Sequence, residues 1–196
     1  MKVELLTQAD IKTLSVVKDK QFEILDWRLY DRLNIAHGNT ATTFRFFQQS
    51  IGNPVGTTKR VTNMSIQGQL PSGYKFVCEK IALEVRPVSG GVVAGTFLDL
   101  AAVTDYGCYE FNIGSRQYLE GDVKELIGGK LFGFGANAAA YAAAFGMRHA
   151  RMEYSPVIPA TFNFDVTVTY DAAVNPAVGV DMICFLIGKI IRPLQG

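Results

Sequence analysis

The sequence is poor in charge and in histidine, and each shortage excludes a class of protein. Charged residues make up 19% of the 196 positions, whereas soluble domains carry about 25%. The 19 Lys and Arg nearly balance the 18 Asp and Glu, so no net field attracts nucleic acid or an acidic membrane. The two histidines, His37 and His149, have no metal ligand at suitable spacing. We therefore expect neither strong direct nucleic-acid binding nor a metal site.

Cysteine is also scarce. Cys78, Cys108 and Cys184 are odd in number and widely spaced, and none belongs to a CxxC motif. A disulfide framework is therefore not expected. We predict three buried structural thiols in a protein made in a reducing compartment.

Long apolar runs are missing as well. The first 14 residues, MKVELLTQADIKTL, carry charges at Lys2, Glu4 and Asp10 and contain no stretch of signal-peptide length. The most apolar run, residues 182–191, has about half the roughly 20 residues of a spanning helix and includes Lys189. We expect no secretory leader and no transmembrane segment, and the run predicts a buried strand.

What the chain does have is apolar surface. Apolar residues make up 48% of the sequence, and with so few charges much of the exterior must be neutral. Such surface is tolerated best where another subunit covers it. We therefore expect a large homo-oligomer.

From residue 61 onward, turn residues separate short segments that are typical of strands. Thr161 to Tyr170 alternates apolar and polar residues and gives the clearest strand, and Val180 to Arg192 predicts a central strand covered on both faces. The other predicted strands cover residues 61–70, 74–86, 96–103, 108–113 and 116–119, with an eighth, short one over 131–134.

The first sixty residues have a different pattern of apolar and polar residues. Thr7 to Asp10 predicts the start of a helix that continues to about Leu14, and residues 20–35 fit neither period and are interpreted as an extended arm. Ala136 to Phe145 contains seven alanines and predicts a short helical insertion. Because strands follow strands with almost no alternating helix, we predict an all-β fold. It is an antiparallel eight-stranded jelly-roll sandwich over residues 61–196, with residues 1–60 as an N-terminal helix and arm packing on it or on neighbours.

Enzyme motifs are weak. Gly133 to Ala138 matches the G-x-G-x-x-A dinucleotide fingerprint, and Glu153 follows at the expected distance, but the βαβ context is missing, so a glycine-rich turn is the preferred interpretation. No nucleophile motif is present. Four carboxylates that could act as acid and base are interpreted as solvated charges: Glu110, Glu120, Asp122 and Glu125. We expect no catalytic, cofactor-binding or metal-binding residue, no cofactor and no enzyme activity.

Aromatic side chains are concentrated between residues 22 and 47. They either extend the core of the same subunit or anchor contacts between subunits, where Trp, Tyr and Phe are enriched. Composition slightly favours the second alternative. The predicted subunit-interface residues are Trp27, Tyr30, Phe44, Phe46 and Phe47.

The order of parts resembles the single jelly-roll coat proteins of icosahedral viruses, in particular of tailless bacteriophages. The likeness covers residues 60–196, after an irregular segment that ends in FFQQSIGNP. It consists of a first strand over 62–71, a paired strand over 74–86, glycine-rich loops and the late strands TFNFDVTVTY and DMICFLIGKIIRP. The resemblance implies a structural role in a shell and no catalytic residues. The absence of a basic arm suits genome packaging by other means.

The sequence thus predicts a capsid subunit that self-assembles with its own copies and other virion proteins, is made in the host cytoplasm and resides in the virion. The alternative is a carbohydrate- or receptor-binding jelly-roll module, such as a spike or tail component. In that alternative, exposed tyrosines would stack on sugar rings: Tyr106, Tyr109, Tyr118 or Tyr141. A nucleotide-binding enzyme around residues 133–138 is a third, weaker hypothesis.

Overall fold

Strands dominate the fold. The computed structural model describes residues 5–6, 22–88, 100, 102–104, 106–127, 150–152, 154–177 and 179–194. The strands are β1 (Leu5–Leu6), β2 (Phe22–Ile35), β3 (Thr43–Phe46), β4 (Lys75–Pro87), β5 (Gly107–Ile113), β6 (Arg116–Asp122), β7 (Ala150–Arg151), β8 (Ser155–Pro159), β9 (Phe164–Tyr170) and β10 (Val180–Pro193). One short helix, α1 (Val123–Leu126), follows β6.

The strands form two antiparallel sheets. The first has the order β1–β8–β4–β10–β2, with β7 also paired to β4, and the second has the order β3–β9–β5–β6. When the two-residue strands β1 and β7 are set aside, each sheet has four strands. The inner faces of both sheets contribute to one hydrophobic core. The all-β prediction is therefore confirmed.

The strand pairs are nested along the chain. Among the eight longer strands the first, β2, pairs with the last, β10; β3 pairs with β9, β4 with β8, and β5 with its neighbour β6. Two further pairings, β4 with β10 and β5 with β9, join these four hairpin-like pairs into the two sheets. The path is that of one long hairpin rolled up on itself.

The late strands match the sequence prediction closely. Strand β10 lies between β4 and β2 and is covered on both faces: Met182 belongs to the main core, and Phe185 on the opposite face is 7% exposed. In β9 the predicted inward residues Phe164, Val166 and Val168 are buried. Strands β4, β5 and β6 also coincide with predicted strands.

The N-terminal region differs from the prediction. Residues 22–35 are not an arm but the strand β2, paired with β10 along its whole length, and residues 43–46 supply β3 to the other sheet. Two of the eight long strands therefore come from residues 1–60, and a boundary at residue 60 does not separate an arm from the sandwich.

Two other predicted strands are wrong where the structure describes them. Residues 61–70 form turns with isolated bridges, because this segment crosses from one sheet to the other and bonds to the edge of β2. Residues 100 and 102–104 are helical. Strand β8 was missed because its sequence, SPVIP, contains two prolines, which weaken a strand signal.

Several predictions fall on residues outside the described ranges. They are the helix over 7–14, the strand over 131–134, the motif over 133–138 and the alanine-rich helix over 136–145. All three cysteines are free, and Cys78 and Cys184 are buried as predicted; Cys108 is exposed, because its side chain lies on the outer face of β5. Within the part of the chain that the structure describes, no helix is long and apolar enough to cross a membrane.

Candidate subunit interface

A groove of about 740 Å³ opens on the outer side of the first sheet, along the edge strand β2. This volume falls in the range of about 300–1,000 Å³ that is usual for ligand sites. Strands β2, β4 and β10 and the loop after β3 line the groove: Asp26, Trp27, Arg28, Tyr30, Ile51, Lys59, Asn63, Glu79, Lys80, Ile187 and Gly188. We call it the β2 groove.

Two of the five predicted interface residues line the β2 groove. Trp27 is 40% exposed, which is unusual for the largest apolar side chain. Tyr30 is half-buried, and its hydroxyl donates a hydrogen bond to the carbonyl of Lys59. Both residues line the groove, although by strand register Trp27 shares the face of Leu25 and Leu29 and Tyr30 lies on the outer face.

Glycine at position 188 shapes the groove wall. Strand β10 shifts register against β4 between Ile187 and Gly188. At this irregularity the two backbones come so close that a Cβ on Gly188 would lie 1.9 Å from the carbonyl oxygen of Val77. The residue opposite Gly188 on β2 is Trp27, and the missing side chain allows β4 to approach β10 closely at this point.

Charged side chains surround the aromatic ones. The Lys189 ammonium lies 2.6 Å from the Asp26 carboxylate, and the Arg28 guanidinium lies 4.8 Å from the centre of the Phe185 ring. Both the ion pair and the cation–π contact lie on the outer face of the sheet. The groove thus combines apolar rings with charges of both signs.

Asn63 closes part of the exposed edge of β2. Its side-chain amide donates to the carbonyl of Arg28 (2.7 Å) and accepts from the amide of Tyr30 (2.9 Å), while its own amide donates to the carbonyl of Tyr30 (3.3 Å). These are the bonds that a neighbouring strand would make. The Asn63 side chain therefore occupies backbone groups of the edge strand that could otherwise pair with a strand of another molecule.

Replacing Asn63 with alanine should lower the free energy of unfolding by about 1–3 kcal/mol, because two hydrogen bonds to backbone groups are lost. The freed edge should also make the protein aggregate faster. Denaturant unfolding and light scattering measure the two effects, and Gln67→Ala, an exposed change in the same loop, is the control. If both variants behave alike, the edge-covering role of Asn63 is wrong.

The three predicted phenylalanines belong to the core instead of an interface. Phe46 and Phe47 are fully buried, and Phe47 packs on Phe164 with ring centres 5.4 Å apart. Phe44 is partly buried and meets the Tyr170 ring edge-on at 5.9 Å. The reason is that β3 belongs to the second sheet, so its aromatic residues fill the space between the sheets. Phe46 and Phe47 are removed from the predicted interface.

Asp31 was not singled out in the sequence, yet it holds the groove-lining loop in place. Its side chain is fully buried, one carboxylate oxygen accepts the amide of Phe47 at 2.5 Å, and the other has no hydrogen-bond partner. Desolvation raises the pKa of Asp31 to about 7, against the lowering effect of its hydrogen bonds. The sequence held no clear signal for Asp31, because the segment LDWRLYDRLNI contains several other charged residues.

The carboxylates considered for acid–base chemistry lie on and beside β5 and β6. Glu110 is directly opposite Glu120, Asp122 pairs with Lys124 at 2.8 Å, and Glu125 follows in α1. Glu110, Glu120 and Glu125 are exposed. Among the described residues, no group of three or more metal-binding side chains is close enough to hold an ion.

The tyrosines of the carbohydrate-binding alternative are scattered. Tyr106 is 75% exposed, but Tyr109 is buried and Tyr118 is half-buried against the core. Tyr141 lies outside the described residues. The described tyrosines therefore do not form one stacking platform.

Comparison of the chain with protein-family models, with curated proteins and with solved structures found no match.

Proposed function

We propose that this chain is the capsid subunit of an icosahedral virus, a jelly roll that assembles with its own copies into a shell. The observation that carries the proposal is the nested pairing of β2 with β10, β3 with β9, β4 with β8 and β5 with β6. A rolled-up hairpin of eight strands in two four-stranded sheets is the layout of a jelly roll, a fold of viral shells. Because the same fold serves other functions, the fold alone does not indicate self-assembly, and features of the surface are needed as well.

The surface of the β2 groove supports self-association. Trp27 presents an exposed indole in a concave surface, and buried aromatic anchors surrounded by polar groups dominate the binding energy of protein interfaces. The groove is built mainly on the strands β2, β4 and β10, and β10 pairs with both of the others along most of its length. Such a rigid surface suits a repeated contact between identical subunits.

The carbohydrate- or receptor-binding module remains the second candidate, because one observation favours it. The β2 groove joins aromatic rings with carboxylate, amide and ammonium groups, a combination that also stacks on and hydrogen-bonds to sugars. A glycan array tests this alternative. A glycan that binds the wild type and fails to bind a Trp27→Ala variant would support it.

Analytical ultracentrifugation followed by negative-stain microscopy tests the capsid proposal. We expect closed particles, or rings of subunits that close into them. A protein that sediments as a monomer across the accessible concentration range, with and without crowding agents, would contradict the proposal and shift the weight to the binding module.

Trp27→Ala should reduce assembly while leaving the fold intact. Loss of a central aromatic anchor costs about 2 kcal/mol or more per contact, whereas a partly exposed residue at a strand edge contributes little to folding. Sedimentation measures the particle yield and circular dichroism the melting temperature. Tyr106→Ala removes an exposed aromatic residue outside the groove and should assemble normally. An unchanged yield for Trp27→Ala would remove the β2 groove from the interface.

A further inference from the structure

The two outer faces of the sandwich carry opposite charges, although the chain as a whole is almost neutral. Face assignments follow from the strand registers, because paired residues share a face. On the first sheet, basic side chains outnumber acidic ones by six to four: Arg28, Arg32, Lys75, Lys80, Arg86 and Lys189 against Asp26, Glu84, Asp181 and Glu79, which lies at the register shift and lines the groove. On the second sheet the balance is reversed: Arg45 against Glu110, Glu120, Asp122 and Asp165.

The β2 groove carries a small excess of positive charge, with Arg28, Lys59 and Lys80 against Asp26 and Glu79. Three acidic residues of this face already have partners, since Asp26 pairs with Lys189, Asp181 with Arg32 and Glu84 with Arg86. Glu79 forms no ion pair among the described residues. Arg28 and Lys80, and Lys59 from the loop, line the groove and form no ion pair among the described residues. Within the described ranges, the groove therefore offers three cations that form no ion pair, against one such carboxylate, that of Glu79, beside the Tyr30 ring.

The acidic face of the second sheet contains an unfavourable pair. Glu110 on β5 and Glu120 on the edge strand β6 are direct cross-strand neighbours, and both are exposed. Like charges in this position destabilise a sheet. Their same-face neighbour on β9 is Thr167, which carries no charge. The only polar side chain that bonds to Glu120 among the described residues is Gln117, at 2.5 Å. A cation from outside the subunit would relieve this repulsion.

We infer that the β2 groove of one subunit binds the Glu110–Glu120 pair on the β5–β6 face of a second copy. The inference rests on the proposed function, since it names the contact through which the copies associate. The two surfaces lie on opposite sides of the sandwich, so they cannot meet within one chain. The positive charges of Lys80, Arg28 and Lys59 would neutralise the negative charges of the two glutamates. Trp27 would provide apolar contact area.

A contact of this kind is heterologous, because it joins two different surfaces of the same protein. Each subunit then keeps one free groove and one free acidic face, and repetition of the contact generates rings or open chains according to the rotation between neighbours. This is the type of contact that a shell of identical subunits requires. It also explains how a chain with a net charge of +1 can associate through charge.

Charge reversal on each side separately, and then on both sides, tests the contact. Lys80→Glu makes the groove more acidic, and Glu120→Lys makes the opposite face more basic, so each single variant should associate at least about tenfold more weakly than the wild type. The double variant restores opposite charges across the contact and should recover association to within about threefold. Sedimentation velocity measures the weight-average size, and circular dichroism confirms that each variant is folded.

Two controls accompany these variants. Asp171→Lys makes the same change in charge as Glu120→Lys at an exposed bend outside both surfaces and should associate like the wild type. Raising the salt from about 0.05 M to about 1 M shortens the Debye length to about 3 Å and should weaken association of the wild type and the double variant alike.

The possible results separate this contact from the capsid proposal. If the wild type forms closed particles and both single variants do so equally well, the capsid proposal stands and the contact is overturned. The wild type could instead form only open, salt-sensitive oligomers, which are absent in the single variants and present again in the double variant. This result would support the contact and contradict the capsid proposal. If the double variant associates no better than the single ones, the contact is overturned whatever the wild type forms.

Discussion

Replacing Gly188 with alanine should leave most of the protein unfolded or insoluble under conditions where the wild type is folded. A Cβ at this position would lie 1.9 Å from the carbonyl oxygen of Val77 and 3.1 Å from the amide nitrogen of Glu79. Both neighbours are backbone atoms of β4, so no side chain can rotate away. The two strands would have to separate where β10 bonds to both β4 and β2.

The expected cost is large because β10 is central. Separation of β10 from β4 breaks backbone hydrogen bonds and opens the core beside Cys78, which is fully buried. The free energy of unfolding of a domain is usually about 5–15 kcal/mol. Strain in a central strand lowers it by a large part of that amount. Urea unfolding followed by circular dichroism, together with the soluble yield, measures the effect.

Gly38→Ala is the matched control. Gly38 lies in an exposed turn with a positive φ of 81°, and a Cβ added there would have no atom within 4 Å, so alanine costs only about 1–2 kcal/mol of backbone strain. A Gly188→Ala protein as stable as the Gly38→Ala protein would show that the approach of the two strands is looser than the structure indicates.

Much of the sandwich could be predicted because its strands have one buried face and one face exposed to solvent. Phe164, Val166 and Val168 point inward on β9, and this alternation is visible in the sequence. Strand β10 could be predicted for the opposite reason, since both of its faces are covered and its sequence is almost continuously apolar. In both cases burial alone determines the pattern.

Strand β2 escaped prediction because two residues break its alternation. Leu25, Leu29 and Leu33 point toward the core, but Asp31 occupies a core position and Tyr30 an outer one. An acidic residue inside the core has no periodic signature. Its acceptability depends on the Phe47 amide, which comes from a loop distant enough in sequence that no local pattern shows it.

The candidate site was predictable only in part for a related reason. An exposed tryptophan and a buried phenylalanine look alike in a sequence, and only the packing of the two sheets leaves Trp27 40% exposed and Phe46 fully buried. The sequence, with a net charge of +1, likewise gives no sign of the two charged faces, because only strand register sorts the basic and acidic residues onto opposite faces.

Asp31→Asn should change the pH dependence of stability by about 4 kcal/mol between pH 4 and pH 8. The pKa of Asp31 is raised from its usual 3.8 to about 7, chiefly because the buried carboxylate loses its hydration. Between these two values the unfolded chain ionises and the folded chain does not. Stability is therefore lost as the pH rises from about 4 to about 7, and the loss is constant above that range.

The measurement is the difference in unfolding free energy between the wild type and Asp31→Asn at a series of pH values. The contributions of the other titrating groups are common to both proteins and cancel in the difference. The free energy of unfolding of the wild type should therefore fall relative to that of the variant as the pH rises. Asp171→Asn, at an exposed bend, should show a nearly constant difference from the wild type. A constant difference for Asp31→Asn as well would mean that Asp31 is ionised in the folded protein at low pH.

The effect of Asp31 should extend to the β2 groove. The Asp31 carboxylate fixes the Phe47 amide at the start of the segment that carries Ile51, Lys59 and Asn63 to the groove. Ionisation places an uncompensated charge beside the buried Cys184 on β10, since one carboxylate oxygen has no partner. The protection factors of the amides of residues 47–63, which are their exchange rates relative to the intrinsic rates at the same pH, should therefore fall above pH 7 in the wild type and stay constant in Asp31→Asn. Equal protection factors in both proteins at every pH would show that the titration of Asp31 does not affect the groove-lining loop.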